Sequence, residues 1–227
     1  MIKKKLSIIT IAYNNLYIIK TIDSINHLRK YIDVEHILIN GGDKLNDEIV
    51  SKVETLVEEP DNGIYDALNK GLSLVTNDYL MFIHADDFVN DNIGISETLD
   101  TLISTNADYA LGRAIVNTSP PRYHGSLFWR PWLLNFHVQP PHLASIYKKS
   151  ILKPFKTNLN IVSDFLMFDS IKHCKFIKTR KILVRHTPGG ESNSYIENTK
   201  EFEKISGKKA WIILPFRLVF KLIFTWL

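Results

Sequence analysis

Two adjacent carboxylates, Asp86 and Asp87, directly follow an apolar run at 79–84. An apolar run that stops at two acids predicts a strand whose end places both carboxylates at a sheet edge, where open α/β sheets bind ligands. Neighbouring carboxylates repel each other, so a divalent cation or a hydroxyl-rich ligand would stabilise them, and oxygen ligands suit Mg²⁺ or Mn²⁺. The alternative is a solvated turn that contains two acids.

A second group of polar side chains lies in the stretch 59–71, which has the pattern of a loop followed by a helix. Asn62 can cap such a helix, and Gly63 permits an unusual backbone angle. Capping does not explain three further polar residues within the next two turns, namely Asp66, Asn69 and Lys70. The stretch therefore predicts a second part of a ligand site.

The spacing of apolar side chains predicts the elements that position these residues. Apolar runs of strand length alternate with segments of helical period, which indicates an α/β sheet with parallel strands. The predicted strands span 6–13, 35–40, 79–84, 109–116 and 176–186, and the predicted helices span 16–28, 46–57, 64–75 and 93–105. An irregular connection that contains Pro120, Pro121 and Trp129 follows, and such long connections are often functional.

The composition is that of an ordinary globular protein, with 227 residues, 45% hydrophobic residues and a net charge of +4. It predicts one domain at 1–207 and an appended segment at 208–227. A single cysteine, Cys174, excludes an internal disulfide framework and a cysteine-based zinc site, so a cytoplasmic location is expected. The basic residues do not form a stripe with aromatic residues, which argues against nucleic-acid binding.

The segment 208–227 combines large apolar residues with cations. Lys208 and Lys209 precede its apolar run, which starts at Trp211, and Arg217 and Lys221 lie four residues apart on one helical face. The pattern suits a helix that lies in the interface of a membrane, with tryptophans near both ends. Two alternatives stay open, a helix docked on the domain's own core and a helix that contacts a second subunit in a homodimer.

The end of the first strand excludes two common nucleotide-binding classes. A dinucleotide fold would place a glycine-rich turn after Tyr13, and the residues there are Asn14 and Asn15. The same absence argues against a P-loop. A sugar nucleotidyltransferase would need a glycine-rich loop with Arg or Lys at this position, so that enzyme class is a weaker alternative.

Three ordered blocks resemble the family-2 inverting glycosyltransferases of the GT-A fold, most closely the short bacterial enzymes that build surface polysaccharides. The blocks are SIITIAYN at 7–14, EEPDNGIYDALNKG at 58–71 and FIHADD at 82–87. The resemblance implies a Rossmann-like mixed sheet flanked by helices. The chain departs from the family pattern at His84, where the first acid of a D-x-D motif is usual, and at Asn40, which replaces an Asp.

The resemblance also implies roles at matching positions. Asp87 would ligate Mn²⁺ or Mg²⁺ together with the donor diphosphate, and such an ion would stabilise the leaving UDP. Asp86 would contact the ribose or the sugar, and Asn40 can hydrogen-bond an imide edge. The implied donor-binding residues are Ala12, Tyr13, Asn40, Asp61, Lys70 and Asp86.

The general base and the acceptor contacts are predicted further along the chain. Asp164 resembles the family's acid at the start of a helix, and inversion needs such a base opposite the leaving diphosphate. Otherwise it is an acid favoured by the helix dipole. His142 could bind the acceptor or a phosphate, or be a structural histidine. The remaining candidates are His186, which could reach the metal or diphosphate, and Gly190 and Ser192 in a closing loop or a simple turn.

Together these residues predict a metal-dependent, inverting transfer of a sugar from a UDP-sugar. The predicted acceptor is a polyprenyl-diphosphate-linked saccharide at the inner face of the cell membrane, in O-antigen or capsule synthesis. A non-catalytic membrane-surface scaffold that keeps a nucleotide-sugar fold is the alternative from another class, and His84 and Asn40 are the residues that favour it.

Overall fold

The computed structural model describes residues 4–15, 17–125, 127–188 and 195–226, with the side chains of 195 and 220–226 left aside. The strands in this part of the chain are β1 (Lys5–Ala12), β2 (Asp33–Asn40), β3 (Thr55–Glu58), β4 (Tyr79–Phe82), β5 (Phe88–Val89), β6 (Tyr109–Val116), β7 (Arg122–His124), β8 (Ser145–Lys148) and β9 (Phe176–His186). The α-helices there are α1 (Ile18–Leu28), α2 (Asp47–Val50), α3 (Ile64–Leu74), α4 (Asn92–Ser104), α5 (Ser163–Ile171), α6 (Tyr195–Ser206) and α7 (Lys209–Trp226). Three short 3₁₀ helices occupy Pro131–Phe136, His142–Ala144 and Lys149–Ile151.

The described strands form one mixed sheet in the order β3-β2-β1-β4-β8-β6-β9-β5, and β7 pairs with β6. The first four strands of that order are parallel, so β2, β1 and β4 bring their carboxyl ends to one edge. β8 runs antiparallel to both β4 and β6, which makes the sheet mixed. This architecture confirms the fold class expected from the resemblance.

Helices cover both faces of the sheet, because β1 and β4 alternate buried side chains between two cores. Ile8 belongs to the core formed with α1 and α4. Ile9 and Ile11 belong to the core formed with α3 and α5. Helix α3 approaches the sheet closely at Gly71, where an added Cβ would lie 2.4 Å from Ile9 Cγ2. Gly71 therefore allows the polar start of α3 to reach the edge where β1 and β4 end.

Five predicted strands correspond to β1, β2, β4, β6 and β9, and three predicted helices correspond to α1, α3 and α4. The predicted strand 79–84 ends earlier, since β4 stops at Phe82. Backbone hydrogen bonds from Ile83 to Ile9 and from Ala85 to Ile11 still extend the pairing with β1, at 3.0 and 3.1 Å. His84 and the two acids therefore lie just beyond the strand, at the sheet edge.

The predicted helix at 46–57 is wrong. Asn46 caps the short α2, whose first turn is followed by the edge strand β3. Alternating β-branched residues, Val53, Thr55 and Val57, favour the extended conformation, and β3 pairs in parallel with β2. The sequence analysis also missed β8, because its four residues follow the proline-rich connection without a distinct alternating pattern.

Helices α6 and α7 are joined at Gly207, which has φ +64°. Helix α7 packs against the domain, since Ala210 is buried, Phe216 contacts Phe136, and the Arg217 guanidinium lies 4.8 Å from the Phe202 ring. The boundary between 1–207 and 208–227 stays a prediction. Within the described residues, no helix is both long enough and apolar enough to cross a membrane.

Candidate active site

A cleft of about 540 Å³ opens at the edge where β1 and β4 end. Its size is typical of small-molecule sites. Ala12 and Tyr13 line it from the end of β1, Asp61 from the loop before α3, and Asp86 from the turn after β4. Tyr13 is 72% exposed, so its ring is free to contact a ligand. The structure thus brings four of the predicted donor-binding residues together.

The turn after β2 completes the cleft by close backbone packing. A Cβ at Gly41 would lie 1.9 Å from Asp61 Oδ2, and a Cβ at Gly42 would lie 2.2 Å from Asn14 Oδ1. Asp61 Oδ1 also accepts a hydrogen bond from the Gly63 N–H at 3.0 Å. A side chain at Gly42 would also meet the Asn14 backbone N at 2.6 Å, so glycine is required there, whereas a side chain at Gly41 would displace the Asp61 carboxylate.

The two carboxylates after β4 lie in different environments. Asp86 lines the cleft, and burial together with the neighbouring Asp87 raises the pKa of Asp86. Asp87 is buried and lies 3.0 Å from His186 Nδ1 through its Oδ2. Its Oδ1 accepts a hydrogen bond from the Thr187 N–H at 3.1 Å. The end of β9 therefore lies next to Asp87, and the predicted contact of His186 with a metal or diphosphate stays a prediction.

His84 and His142 form a buried imidazole pair beside the acids. Their ring centroids are 5.7 Å apart, and in the described part of the chain each buried Nε2 has no hydrogen-bond partner. Burial lowers the pKa of both rings, for His142 to about 3, so both are neutral near pH 7. His142 also packs on Phe82, which ties it to β4.

The donor atoms near Asp87 are compatible with a divalent cation that is completed by a ligand. Among the described residues, no three His, Cys, Asp or Glu side chains converge to hold a metal ion by themselves. Asp87 and His186 offer one carboxylate and one imidazole, which lie next to each other. Mg²⁺ commonly takes one or two protein ligands together with substrate phosphates, so this pair fits a metal shared with a diphosphate.

Asp164 lies in the first turn of α5 and accepts three hydrogen bonds. The Phe165 N–H and the Tyr65 hydroxyl donate to Oδ1 at 2.9 and 3.2 Å, and Gln139 Nε2 donates to Oδ2. Burial raises the pKa of Asp164 to about 6, against the effect of these hydrogen bonds. The side chain keeps partial solvent exposure. A partly accessible carboxylate with this pKa suits a general base near neutral pH.

A buried carboxylate on α6 holds the segment before α5. Glu201 accepts hydrogen bonds from the backbone N–H groups of Asn160, Ile161 and Val162, at 2.6, 2.6 and 2.9 Å. Asn160 also lines the cleft, and so does Tyr65, which donates to Asp164. One hydrogen-bonded framework therefore connects the cleft wall with the candidate base.

A comparison with known protein families identifies the family of the chain. The model for "Glycosyl transferase family 2" matches residues 7–183, which is more than half of the sequence. The chain belongs to this family. The match includes the cleft, the acid pair and Asp164, so the resemblance inferred from the three sequence blocks is confirmed.

Two curated relatives are both described as uncharacterized glycosyltransferases of Mycobacterium tuberculosis. Each is 31% identical over 104 residues, which is 42% of this chain and 39% of the relative. The chain thus spans about two fifths of the length of these two relatives.

Solved structures share the fold at low identity. TarS of S. aureus, residues 1–349 in complex with UDP-GlcNAc, has a TM-score of 0.68 at 16% identity, covering 94% of this chain and 71% of that one. Glucosyl-3-phosphoglycerate synthase from Mycobacterium tuberculosis, in complex with Mn²⁺, UDP and phosphoglyceric acid, has a TM-score of 0.56 at 18% identity, covering 82% and 72%. A mannosyltransferase from Pyrobaculum calidifontis, in complex with GDP-Man and Mn²⁺, has a TM-score of 0.60 at 14% identity, covering 88% and 62%.

Two predicted donor-binding residues of this family member lie outside the main cleft. Asn40 lines a neighbouring cleft of about 520 Å³, and its side-chain amide bonds to Gly42, Asp43 and Glu58. Lys70 lines neither cleft, and it pairs with Glu59 at 2.9 Å and with Asp66 at 3.5 Å. Gly190 and Ser192 lie outside the described residues.

Three residues of the site were not selected from the sequence, namely Tyr65, Gln139 and Glu201. Tyr65 and Asp164 are 99 positions apart, and Gln139 and Asp164 are 25 apart. Tyr65 lies within the stretch 59–71, so its position carried a signal. Gln139 precedes Pro140 and Pro141 in the segment from which only His142 was selected. Glu201 has no local pattern that separates it from ordinary surface residues.

Proposed function

We propose that this protein transfers a sugar from a UDP-sugar to an acceptor hydroxyl with inversion at the anomeric carbon. The observation that carries the proposal is the cleft lined by Asp86, with the buried Asp87 next in the chain and Asp164 linked to the cleft wall through Tyr65. The cleft supplies a donor site, and Asp164 supplies a base with access to solvent. This arrangement matches the needs of a direct displacement reaction.

In this proposal the UDP-sugar occupies the main cleft. The uracil ring packs near Ala12 and Tyr13, Asp61 lies beside the uridine, and Asp86 accepts hydrogen bonds from the ribose or sugar. Burial and Asp87 raise the pKa of Asp86, which means that its ionised form is poorly stabilised in the free protein. A bound hydroxyl or cation would stabilise that form. Asn40 supports the turn from the adjoining cleft, and Lys70 holds the α3 loop through Glu59.

We assign the metal to Asp87 and His186, shared with the diphosphate of the donor. A Mn²⁺ or Mg²⁺ ion bound there would offset the negative charge that develops on UDP. The residues' own contribution is to fix the site, because the Thr187 N–H and His186 hold Asp87 in one orientation. His142 supports this wall through His84 and Phe82.

The transfer step needs one proton acceptor. The acceptor oxygen forms a bond to the anomeric carbon, its proton moves to Asp164, and the carbon–oxygen bond to UDP breaks with its electron pair on the diphosphate. Below about pH 6 Asp164 is protonated in the free protein and cannot accept that proton. Activity should therefore decline as the pH falls through this value.

We further propose that α7 binds the membrane surface and that the acceptor is a polyprenyl-diphosphate-linked saccharide. Lys208 and Lys209 precede an exposed apolar surface, and the cations suit anionic headgroups. The surface is formed by Trp211, Ile212, Phe216 and Val219, which are 40, 70, 54 and 55% exposed. An exposed surface of this composition is typical of interfacial helices.

UDP release from UDP-sugars tests the proposal. We expect Mn²⁺-dependent release from at least one UDP-sugar, slow with water as acceptor, and a decrease of about 10²- to 10⁴-fold for Asp164→Asn. Asp33→Asn is the matched control, because Asp33 is exposed at the opposite end of β2. Release only from GDP-mannose would overturn the UDP assignment, and binding of UDP without any turnover would favour the scaffold alternative.

A further inference from the structure

Hydrogen bonds from the described residues leave one acceptor position of the candidate base, Asp164, unoccupied. A carboxylate offers about four acceptor positions. The Tyr65 hydroxyl and the Phe165 N–H occupy Oδ1, and Gln139 Nε2 occupies one position on Oδ2. The remaining position is therefore on Oδ2, next to the Gln139 amide. The proton that Asp164 accepts should arrive at this atom.

Gln139 brings a second hydrogen-bond acceptor atom to the neighbourhood of Asp164 Oδ2. Its Nε2 donates a hydrogen bond to Asp164, whereas its Oε1 is buried and has no hydrogen-bond partner among the residues that the structure describes. A buried acceptor without a partner costs about 1–3 kcal/mol, and such atoms are rare in folded proteins. A rotation of the amide by 180° would place Oε1 against the ionised carboxylate, so the amide keeps this orientation.

The backbone around Gln139 is held in place on both sides. The Trp129 indole N–H donates to the Val138 carbonyl at 3.0 Å, and Pro140 and Pro141 follow Gln139 with restricted φ angles. A side chain on such a segment is positioned before a ligand arrives. The unpartnered oxygen is therefore a fixed feature of the site and not a consequence of a loosely placed loop.

We infer that Gln139 has two functions, in which Nε2 orients Asp164 and Oε1 accepts a hydrogen bond from the acceptor substrate. This inference rests on the proposed transferase function. Two neighbouring acceptor atoms, Asp164 Oδ2 and Gln139 Oε1, match two neighbouring hydroxyls. The acceptor class is therefore a vicinal diol, as in a sugar ring. One hydroxyl attacks and gives its proton to Oδ2, and the adjacent hydroxyl donates to Oε1.

The orienting function can be tested without turnover. Carboxyl ¹³C titration of aspartate-labelled protein, assigned with Asp164→Asn, should report a pKa near 6 for Asp164. Gln139→Met removes a donor to the ionised form, so the pKa should rise. Gln139→Glu should raise it further by charge repulsion. Tyr109→Phe is the control, because the Tyr109 hydroxyl is buried without a partner. An unchanged pKa in both Gln139 variants would overturn the orienting function.

The acceptor-binding function is tested with glycerol and 1-propanol, which compete with water for the sugar of a UDP-sugar. The full-length protein should form more glyceryl than propyl glycoside at equal hydroxyl concentration, by about tenfold. Gln139→Met should lose this preference, whereas Tyr109→Phe should keep it. Equal products in the unmodified protein, or a preference that survives Gln139→Met, would contradict this function. Absence of any turnover would refute the proposed function, while the titration would still decide the orienting function.

Discussion

Charge at this site is controlled by burial of individual side chains. His84 stands where the family's D-x-D motif begins with an acid, and burial lowers the pKa of His84, so it adds no charge near pH 7. The negative charge of the site is therefore carried by Asp86 and Asp87. Because His84 replaces one carboxylate of the motif, the site should depend more on the contact between His186 and Asp87. The orientation of these two side chains is therefore important for donor binding.

The stability of Asp164→Asn gives a first prediction. Burial raises the pKa of Asp164 to about 6 from 3.8, so between these values the native state binds a proton that the unfolded chain lacks. The contribution of this group to the free energy of unfolding therefore falls as the pH rises through the window, and the ionised form destabilises the fold above it. Asp164→Asn removes that charge, and the unpartnered Gln139 Oε1 can accept from the new amide.

We expect the melting temperature of Asp164→Asn to exceed that of the unmodified protein by about 3 °C or more at pH 7.5. The difference should vanish at about pH 4, where both proteins carry an uncharged side chain. Thermal unfolding followed by circular dichroism at the two pH values checks this. A difference that is the same at both pH values would show that ionisation of Asp164 does not control it.

Single residues of the site were predictable where they belong to a strand end or a local motif. Ala12, Tyr13, Asp61 and Asp86 follow strands or precede a helix, and the structure brings them to one cleft. Gln139 could not be found in this way, because its contact with Asp164 depends on how the proline-rich connection folds back. Long-range contacts of this kind have no local periodicity.

At the scale of elements, alternation and helical period predicted most of the parallel part of the sheet. They failed at 46–57, where Ile49, Val53 and Val57 recur at helical spacing although the chain forms α2 and then β3. Pairing with β2 decided between the two structures, since an edge strand gains hydrogen bonds from its neighbour. β8 was missed because a four-residue strand that is paired on both sides needs no alternating polar face.

Because α3 lies close to the sheet at Gly71, one added methyl group there should have a large effect on the free energy of unfolding. In Gly71→Ala the new Cβ would lie 2.4 Å from Ile9 Cγ2, and Ile9 is fully buried in β1. We expect the free energy of unfolding to fall by about 1–3 kcal/mol from overpacking. Better helix propensity, about 1 kcal/mol, offsets part of this.

Urea denaturation measures the effect of Gly71→Ala, and Ser73→Ala is the control on the exposed side of the same helix. The control should change the free energy of unfolding by less than about 0.5 kcal/mol. If Gly71→Ala were as stable as the unmodified protein, α3 would have to sit further from β1 than the structure places it.

In the whole molecule, helices α6 and α7 contact the residues around the candidate base. Glu201 on α6 holds the segment before α5, and Phe202 stacks on His137 and contacts Phe165 next to the candidate base. Arg217 on α7 covers Phe202. The segment predicted as a membrane-surface helix is therefore in contact with residues that support Asp164.

A vesicle-binding experiment tests the proposed role of α7. Ile212→Glu places a charge on its most exposed apolar residue, 70% exposed, and should lower binding to vesicles of phosphatidylethanolamine and phosphatidylglycerol by about tenfold or more. Ile93→Glu is the matched control, since Ile93 is 50% exposed on α4. Equal binding of both variants, or a stable dimer in solution that only Ile212→Glu disrupts, would favour a role in subunit contact.

A thermal-shift titration with UDP, with and without Mn²⁺, tests whether the main cleft is the donor site. A ligand that binds only the native state raises its melting temperature. We predict that UDP stabilises the protein in the presence of Mn²⁺, that the shift is largely lost without the ion or in Asp87→Asn, and that Asp33→Asn behaves like the unmodified protein. No shift with UDP and Mn²⁺ together would contradict the assignment of the cleft to a UDP-sugar.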